Sequence, residues 1–330
     1  MDANPELFKL ISRMDTGRML KVVDQLHETT GRSRIRLLGD IIYCGLRYQA
    51  GYNDYAYVQM YDMDAAQRAT IVTRGINNAI VRRYNDPTMV RWLDDKSLFY
   101  QKFDDLLDRP WMKVTSDGTD RFAALFSGCR QIVVKPLEGT HGQGVARMAL
   151  DGDVQTFYHQ LAAQGPMLAE GVLRQDPLIA ALHPGSINTV RLVTFKGRTL
   201  VAYLRIGTGA NVVDNFNHGG IMCPIDETTG RVEFPALRKD GALFTRHPDT
   251  DQPIVGLQIP RWEMVRQLGA QAAARLPEVG YIGWDVCVGP HRPCLVEGNN
   301  YPGHDIYQLP PHRRGKEGLL PKFRAAGIEV

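Results

Sequence analysis

The sequence predicts an α+β protein in which a mainly helical N-terminal segment precedes a larger region of strands and helices. Apolar residues within 1–95 repeat at the spacing of helices, whereas from residue 111 onward β-branched runs are joined by short turns. An amphipathic stretch at 261–276 comes directly before the last strand pair, so we expect it to back the sheet. At 330 residues the chain is long enough for two or three packed lobes.

The N-terminal segment contains two helical repeats and a third candidate helix at Arg34–Tyr48, which ends near Gly51. The repeats are Leu7, Leu10, Ile11 and Met14, and then Met19, Val22, Val23 and Leu26. We expect this segment to form a helical cap that closes the substrate side of the protein.

Downstream of residue 95 the elements alternate between helix and strand. The predicted order is a helix at 96–107, strands at 111–115 and 131–135, a glycine-rich loop, strand Ala146–Ala149, a helix at 154–163 and a strand crossing at 167–173. Residues 248–260 have no regular pattern and are predicted to form a loop near the active site.

The stretch 281–303 is the most informative part of the chain, because it reads as two apolar strands around a Gly/Pro turn at 289–293. If the turn centres on His291, Asp285 lies opposite Glu297, and alternation puts Asn299 on the face of Glu297. Two carboxylates and a carboxamide on one patch attract a cation, and oxygen ligands favour Mg2+, with Mn2+ as an alternative. A solvated polar hairpin face is the other interpretation, but the apolar flanking residues favour a buried strand pair.

The cysteines indicate a reducing compartment. There are five, an odd number, and none forms a CxxC pair. Cys287 and Cys294 face each other across the predicted hairpin, so a disulfide is open, but buried thiols are the preferred interpretation.

Residues 131–145, QIVVKPLEGTHGQGV, run from a strand into a glycine-rich loop. Gly139, Gly142 and Gly144 permit positive φ and a close backbone approach, so amide groups there could surround phosphate oxygens, with the Lys135 ammonium beside them. The spacing is neither that of a Walker loop nor that of a dinucleotide fingerprint. Glycine-rich hairpin turns are common, so the motif is weak alone, but it predicts a loop folded over a nucleotide.

A β-branched hairpin is predicted around Lys196 and Gly197, and each of its strands carries one arginine. A three-residue loop would place Arg191 and Arg205 on one face, whereas a two-residue loop would separate them. Surface ion pairs are the ordinary alternative. Because the strands are so apolar, we favour a functional role for both arginines.

Taken in order, these motifs resemble those of the ATP-grasp superfamily. They are Asp95-Lys96, Lys135-Pro136 with its glycine loop, Glu170 in MLAEGVL, Arg191, Arg205, NFNHGG, and WDV with VEGNNYPG. The segments ALHPGSINTVRLVTF, VVDNFNHGGI and YIGWDV are similar to the sugar-transfer-associated, or α-L-glutamate-ligase-like, branch. The resemblance covers residue 96 to about 308. It implies an ATP-grasp fold with two α+β lobes clasping ATP, divided as 96–168 and 169–330 after a helical segment at 1–95.

The resemblance also implies roles for individual residues. Lys96 and Lys135 would contact the ATP phosphates, and Glu170 with the backbone through Val172 would form the adenine hinge. Gln175 or Asp176 would reach the ribose. The flexible cover over the phosphates would comprise Glu138, Gly139, Gly142 and Gly144.

In the second lobe, Asp285, Glu297 and Asn299 would hold Mg2+ against the phosphates. Arg205 would face the γ-phosphate, and Arg191 would lie beside it in the catalytic group. Asn215 and His218 lie in the segment that shapes the acceptor site, and His218 stands where related glutamate ligases often have arginine.

The function that the resemblance implies is ATP-dependent ligation of a carboxylic acid to an amine through an acyl-phosphate, with release of ADP and phosphate. The amide or peptide-like product would belong to secondary-metabolite or cell-surface polymer biosynthesis. Two alternatives are a kinase acting on a sugar or other small-molecule hydroxyl and a non-catalytic nucleotide-binding partner.

The composition limits which partners and which cellular compartment are expected. A net charge of +3, with 44% hydrophobic and 23% charged residues, is that of an ordinary globular protein and indicates no nucleic-acid or membrane partner. No signal peptide or apolar run of about 20 residues is evident, so the cytoplasm is expected. The oligomeric state is left open, with a homodimer among the options.

Overall fold

The computed structural model describes residues 15–137, 144–210 and 214–330, which form two compact units. The first unit combines the chain up to Arg83 with Gly303–Val330, and the second is Tyr84–Pro302. These units differ from the three-part division given above, because the C-terminal segment packs with the N-terminal helices. The division of the remainder into lobes at 96–168 and 169–330 stays a prediction.

The first unit is helical, as expected. Its helices are α1 (Thr16–Thr30), α2 (Arg34–Tyr48), α3 (Tyr52–Tyr57), α4 (Ala65–Arg68), α5 (Arg74–Tyr84) and, near the C-terminus, α12 (Leu320–Ala325). The repeat in α1 is confirmed, since Met19, Val23 and Leu26 are buried. The bounds of α2 are those predicted. The repeat from Leu7 to Met14 lies outside the described residues.

In the second unit, a four-stranded antiparallel sheet follows two short helices, α6 (Arg91–Asp94) and α7 (Lys96–Lys102). Its strands are β1 (Trp111–Val114), β2 (Gln131–Pro136), β3 (Ala146–Ala149) and β4 (Met167–Gly171), in the order β1-β4-β2-β3. The helix predicted at 96–107 ends earlier, at Lys102, and a single 3-10 turn, Asp104–Leu106, continues it.

Two helices share the apolar core of this sheet. They are α8 (Thr119–Phe126), which was not predicted, and α9 (Val154–Ala162), which was. Phe122 and Tyr158 are fully buried, with ring centroids 5.2 Å apart. The Tyr158 hydroxyl also accepts from the amide of Thr115 at 3.0 Å, and this bond fixes the end of β1.

The larger sheet has seven antiparallel strands in the order β11-β10-β5-β6-β7-β8-β9. They are β5 (Thr189–Phe195), β6 (Arg198–Ile206), β7 (Ile221–Ile225), β8 (Ala236–Arg238), β9 (Leu243–Phe244), β10 (Tyr281–Val288) and β11 (Pro293–Asn299). Every residue of β5 and β10 is buried, which explains why both read as near-continuous apolar runs.

The remaining helices are α10 (Pro177–Ala180) and α11 (Trp262–Ala274). The prediction that α11 backs the large sheet is confirmed, because Val265, Leu268 and Ala272 belong to the sheet's apolar core. Gly269 makes this close packing feasible, since a Cβ there would lie 2.4 Å from Leu192 Cδ2. Residues 248–260 contain no helix or strand, as expected. Among the helices of the described ranges, none has the length and apolarity needed to cross a membrane.

Candidate active site

Arg191 and Arg205 lie on the same face of the large sheet, for a reason that loop length alone did not reveal. The loop between β5 and β6 is two residues long, because Phe195 pairs with Arg198. The register then shifts, with Val193 opposite Val201 and Thr194 opposite Thr199, so Leu200 is an extra residue in β6. A two-residue loop alone would place Arg205 on the face opposite to Arg191, and the bulge returns Arg205 to the same face as Arg191.

Both arginines converge on Asp285, which lies opposite Arg191 in the β10–β5 pair. Arg191 donates through Nε to Oδ1 and through Nη2 to Oδ2, the latter at 3.0 Å, and Arg205 Nη1 donates to Oδ2 at 2.7 Å. Burial raises the pKa of Asp285, but the two guanidiniums outweigh that effect and hold the pKa well below its usual range. Asp285 is therefore a fixed, charged group.

Arg205 is held from a second side by Asp214, at 3.2 Å from Nη2. Asp214 is itself fixed, since its Oδ2 accepts from the Thr189 amide at 3.0 Å and from the Thr189 hydroxyl. Burial raises the pKa of Asp214, and the Arg205 guanidinium opposes that rise. Two carboxylates thus orient one guanidinium, and sequence reasoning had not singled out Asp214.

Glu297 lies directly across the strand pair from Asp285, as predicted, but not for the predicted reason: the hairpin closes at Val288 and Pro293, and a bulge at Val296 brings the two carboxyl groups opposite each other. The two carboxyl groups are near enough that the charge of Asp285 favours a proton on Glu297. Burial among neighbouring protein atoms and the Asp285 carboxylate raise the pKa of Glu297 to about 7, although its side chain still reaches water. The two carboxyl groups of the pair therefore differ sharply in proton affinity.

The donor set on this strand pair fits a hard divalent cation. The Asp285 carboxylate accepts from three arginine N–H groups, so the side of the carboxylate that faces Glu297 is left for a cation. A cation there would take the place of the proton that the raised pKa of Glu297 favours. No cluster of three His, Cys, Asp or Glu side chains able to hold a metal occurs within the described ranges. The other ligands would therefore be the Asn299 amide, which lies two residues beyond Glu297, water and phosphate oxygens.

A second charged cluster surrounds Glu170 on β4. Its Oε1 pairs with the Lys135 ammonium, and its Oε2 accepts from Arg109 Nε at 2.6 Å and from the Tyr100 hydroxyl. Burial raises the pKa of Glu170, but Arg109 and Lys135 outweigh it and lower the pKa to about 2. The carboxylate of Glu170 is thus occupied by protein groups, and the predicted adenine hinge would rest on the backbone that follows it through Val172.

Lys96 lies close to both clusters. Its ammonium donates to the carbonyls of Pro136, at 3.0 Å, and Leu137, at 3.3 Å. Burial and the neighbouring Lys135 charge lower the pKa of Lys96, whereas Glu297 raises it. The structure therefore brings Lys96, Lys135 and Glu297 into one electrostatic neighbourhood.

Of the predicted phosphate cover, Gly144 is described. It has φ of 73°, and a Cβ there would lie 2.7 Å from Pro136 Cγ, so the position requires glycine. Glu138, Gly139 and Gly142 lie outside the described residues.

Gln175 and Asp176, the two ribose candidates, make structural contacts. Gln175 donates to the Ser186 carbonyl at 2.7 Å and accepts from the Asn188 amide at 2.7 Å. Asp176 caps α10 by accepting from the Leu178 amide and pairs with Arg261. A ribose-binding role for either residue stays a prediction.

Asn215 and His218 lie in one short turn after β6. The Asn215 side chain accepts from the Asn217 amide at 2.9 Å and so caps a 3-10 turn, Phe216–His218. His218 is exposed. The turn follows Asp214, which contacts Arg205, so it leads away from the arginine pair, and its acceptor role stays a prediction.

Two functional candidates, Arg109 and Tyr100, escaped the sequence analysis. Neither belongs to a spacing pattern, and their importance comes from long-range contacts with Glu170. The cysteine expectation is confirmed, since Cys287 and Cys294 are opposed in the β10–β11 pair as buried free thiols.

Comparison with known proteins found a family and several solved structures to which the chain is similar. Solved structures similar to the chain include the ATP-grasp ligase PsnB in complex with a minimal precursor (13% identity, 73% of this chain, TM-score 0.43). Others are the D-cycloserine synthetase DcsG (17% identity, 75% of this chain and 76% of that chain, TM-score 0.42) and a D-alanine–D-alanine ligase from Bacillus anthracis (15% identity, 77% and 70%, TM-score 0.40). The match spans 62% of the PsnB chain, less than two thirds of its length. A search of curated proteins found no match.

The profile of the sugar-transfer-associated ATP-grasp family matches residues 76–326, which is most of the sequence and includes every described site residue discussed above. This match supports ATP as the nucleotide. The chain belongs to the sugar-transfer-associated ATP-grasp family.

Proposed function

We propose that the protein is an ADP-forming ligase that joins a carboxylic acid to an amine through an acyl-phosphate. The observation that carries the proposal is the convergence of Arg191 and Arg205 on Asp285, opposite the proton-accepting Glu297. This arrangement sets fixed cations beside a pair of potential metal ligands. Such a pattern suits transfer of a phosphoryl group, whose negative charge must be neutralised as it moves.

The reaction has two steps. A carboxylate oxygen of the acid attacks the γ-phosphorus of ATP, the bond to the β–γ bridging oxygen breaks, and ADP leaves. The amine nitrogen then attacks the acyl carbon, inorganic phosphate leaves, and the proton lost by the amine passes to solvent. The products are an amide, ADP and phosphate, and no side-chain nucleophile of the protein is needed.

The contacts support different roles for the lysine and arginine side chains. Lys96 and Lys135 come from the elements around the small sheet, and we assign them to the ATP phosphates. Arg205 comes from the large sheet, and we assign it to the transferred phosphoryl group. Because Asp214 and Asp285 already orient Arg205, the guanidinium needs no rearrangement during transfer.

Asp285, Glu297 and Asn299 are the residues that would hold Mg2+. When bound, the ion supplies positive charge that neutralises the phosphate oxygens. Glu297 would bind it as the carboxylate, so its proton must leave first. Asp285 is already ionised because of its arginine partners.

The proposal is tested by an ADP-release screen over carboxylic acids with and without amines, followed by mass spectrometry of the products. Hydroxylamine should intercept the acyl-phosphate and give a hydroxamate with the correct acid. Arg205→Lys should reduce hydroxamate formation by about 100-fold, because a point charge replaces a fixed fork. Nucleotide affinity should change far less, since the arginine acts on charge that develops during transfer.

The control is Arg198→Lys, which alters an exposed arginine at the start of the same strand, β6. It should retain hydroxamate formation. A stable phosphate ester on a sugar hydroxyl, with no hydroxamate from any acid, would replace the ligase proposal with the kinase alternative.

A further inference from the structure

Arg109 is a buried arginine that touches both sheets of the second unit. Its side chain is 2% exposed. Nε donates to Glu170 Oε2 on β4 at 2.6 Å, and Nη1 donates to the Leu295 carbonyl on β11 at 2.8 Å. One guanidinium therefore spans the four-stranded and the seven-stranded sheets, and it does so through its planar fork of donors.

The small-sheet end of this bridge reaches Lys135 by two routes. Arg109 and Lys135 hold opposite oxygens of Glu170. Both also donate to the Tyr100 hydroxyl, Arg109 Nη2 at 2.6 Å and Lys135 at 3.1 Å. The position of the Lys135 ammonium is thus tied to that of Arg109.

The large-sheet end reaches the potential metal ligands. Leu295 precedes Glu297 by two residues on β11, and Glu297 faces Asp285 across the strand pair. Leu295 and Glu297 pair with the consecutive β10 residues Val286 and Asp285, and Val296 between them is an unpaired bulge residue, so a shift at Leu295 is transmitted to Glu297 through β10. The one side chain of Arg109 therefore links a lysine suited to phosphate with a carboxylate suited to a metal.

We propose that Arg109 is a positioning residue that couples nucleotide binding at Lys135 to metal binding at Glu297. The proposal rests on the proposed function only in requiring that the chain bind a nucleotide with a divalent metal. By holding β4 and β11 together, Arg109 sets the separation at which the Lys135 ammonium and the Glu297 carboxylate engage the same polyphosphate. The affinity for nucleotide should then rise with Mg2+ by a factor that depends on Arg109.

The test compares wild type, Arg109→Lys and Arg292→Lys by isothermal titration with a non-hydrolysable ATP analogue, with and without Mg2+. Lysine at position 109 keeps the charge beside Glu170 but cannot reach Glu170 and Leu295 together. The factor by which Mg2+ strengthens nucleotide binding should fall about tenfold. Arg292, next to β11, pairs with Asp108 at the surface, so Arg292→Lys is the matched control and should retain the wild-type factor.

An unchanged Mg2+ factor in folded Arg109→Lys would overturn the proposal. If that variant does not fold, Tyr100→Phe tests the same link, because it deletes the hydroxyl shared by Arg109 and Lys135. Its Mg2+ factor should also fall, and a wild-type value there would equally overturn the proposal. Circular dichroism and thermal unfolding establish that each variant is folded.

The outcome separates this inference from the ligase proposal. A wild-type chain that binds Mg2+ and nucleotide cooperatively but forms no amide refutes the ligase activity and leaves the role of Arg109 intact. A wild-type chain whose nucleotide affinity ignores Mg2+ refutes the role of Arg109, whatever products it forms.

Discussion

Asp285 and Glu297 both carry a carboxyl group, yet the structure gives the two groups different proton affinities. Arg191 and Arg205 keep Asp285 ionised, whereas burial and, after it, the Asp285 carboxylate raise the pKa of Glu297 to about 7. At neutral pH, Glu297 is therefore near the midpoint of its titration. Because of this difference in pKa, metal binding would change the protonation of Glu297, whereas Asp285 stays charged.

The first prediction follows from this difference in pKa between the two carboxyl groups. Glu297→Gln should lower ATP turnover by at least about 100-fold, because an amide cannot supply the anionic ligand. Folding should be unaffected, since an amide of the same shape replaces a carboxyl group whose side chain reaches water. ADP release over a Mg2+ titration checks this, with exposed Glu278→Gln as the control. The metal assignment is falsified if Glu297→Gln keeps wild-type turnover.

The second prediction concerns stability and pH in the absence of metal. The pKa of Glu297 is raised to about 7 from 4.5, so the folded state binds more protons than the unfolded state between these values. Its contribution to stability is therefore present below about pH 4.5 and is lost as pH rises through 7. Thermal unfolding should show this loss in wild type and in Glu278→Gln.

Two comparisons sharpen that measurement. Glu297→Gln should remove this component of the pH dependence, since the amide does not titrate. Added Mg2+ should recover stability near pH 8, where Glu297 is charged. A component of equal size in wild type and in Glu297→Gln would mean that another group causes it.

At this scale, the opposition of Asp285 and Glu297 was predicted because a short hairpin makes the contact local in sequence, although the observed pairing also depends on the bulge at Val296. The same reasoning could not find Arg109 or Tyr100. Their partners, Glu170 and Leu295, lie far away along the chain and meet them only after both sheets have formed.

At the scale of elements, the extra residue in β6 decides which face carries Arg205. The third prediction is that deleting Leu200 turns Arg205 to the opposite face and removes its contacts with Asp285 and Asp214. ATP turnover should fall as far as in a variant that lacks the Arg205 guanidinium. Turnover and thermal unfolding measure the effect.

A compensating insertion provides the control. One glycine added after Gly197 lengthens the loop to three residues, and together with the Leu200 deletion it restores the number of residues between Arg191 and Arg205. The double variant should regain much of the lost turnover. Failure of the insertion to rescue a folded deletion variant would argue that the Leu200 side chain, which is buried, matters more than the register.

The elements predicted well were those with strong periodicity or clear turn residues, such as α2, α11 and the β10–β11 hairpin. The prediction left the loop of the arginine hairpin undecided because a bulge is a small deviation stabilised by neighbouring strands. The helix α8 was missed because eight residues hold too short a pattern, and its stability comes from packing of Phe122 and Phe126.

At the scale of the whole molecule, Gln308 joins the two ends of the chain within the first unit. Its amide donates to the carbonyls of Val72, at 2.6 Å, and His304, at 2.9 Å. Its oxygen accepts from the Val72 amide at 3.1 Å. The buried carboxamide of Gln308 thus provides hydrogen-bond partners for both the N–H and the C=O of Val72, as a neighbouring strand would.

The fourth prediction is that Gln308→Ala destabilises the protein by about 2 to 4 kcal/mol, because buried peptide groups of Val72 lose their partners. Denaturant unfolding measures the difference, and Gln25→Ala, on the exposed side of α1, is the control. Equal stability of the two variants would show that water or a shifted backbone replaces the carboxamide.

The order in which the chain is synthesised gives the pairing of the chain ends a further consequence. Residues 303–330 leave the ribosome after the whole of Tyr84–Pro302, so the helices up to Arg83 exist for some time without their C-terminal partners. During that interval Thr70 and Val72 lack Leu320 and Gln308. The part made first therefore completes its folding last, which reverses the usual order of folding from the N-terminus during translation.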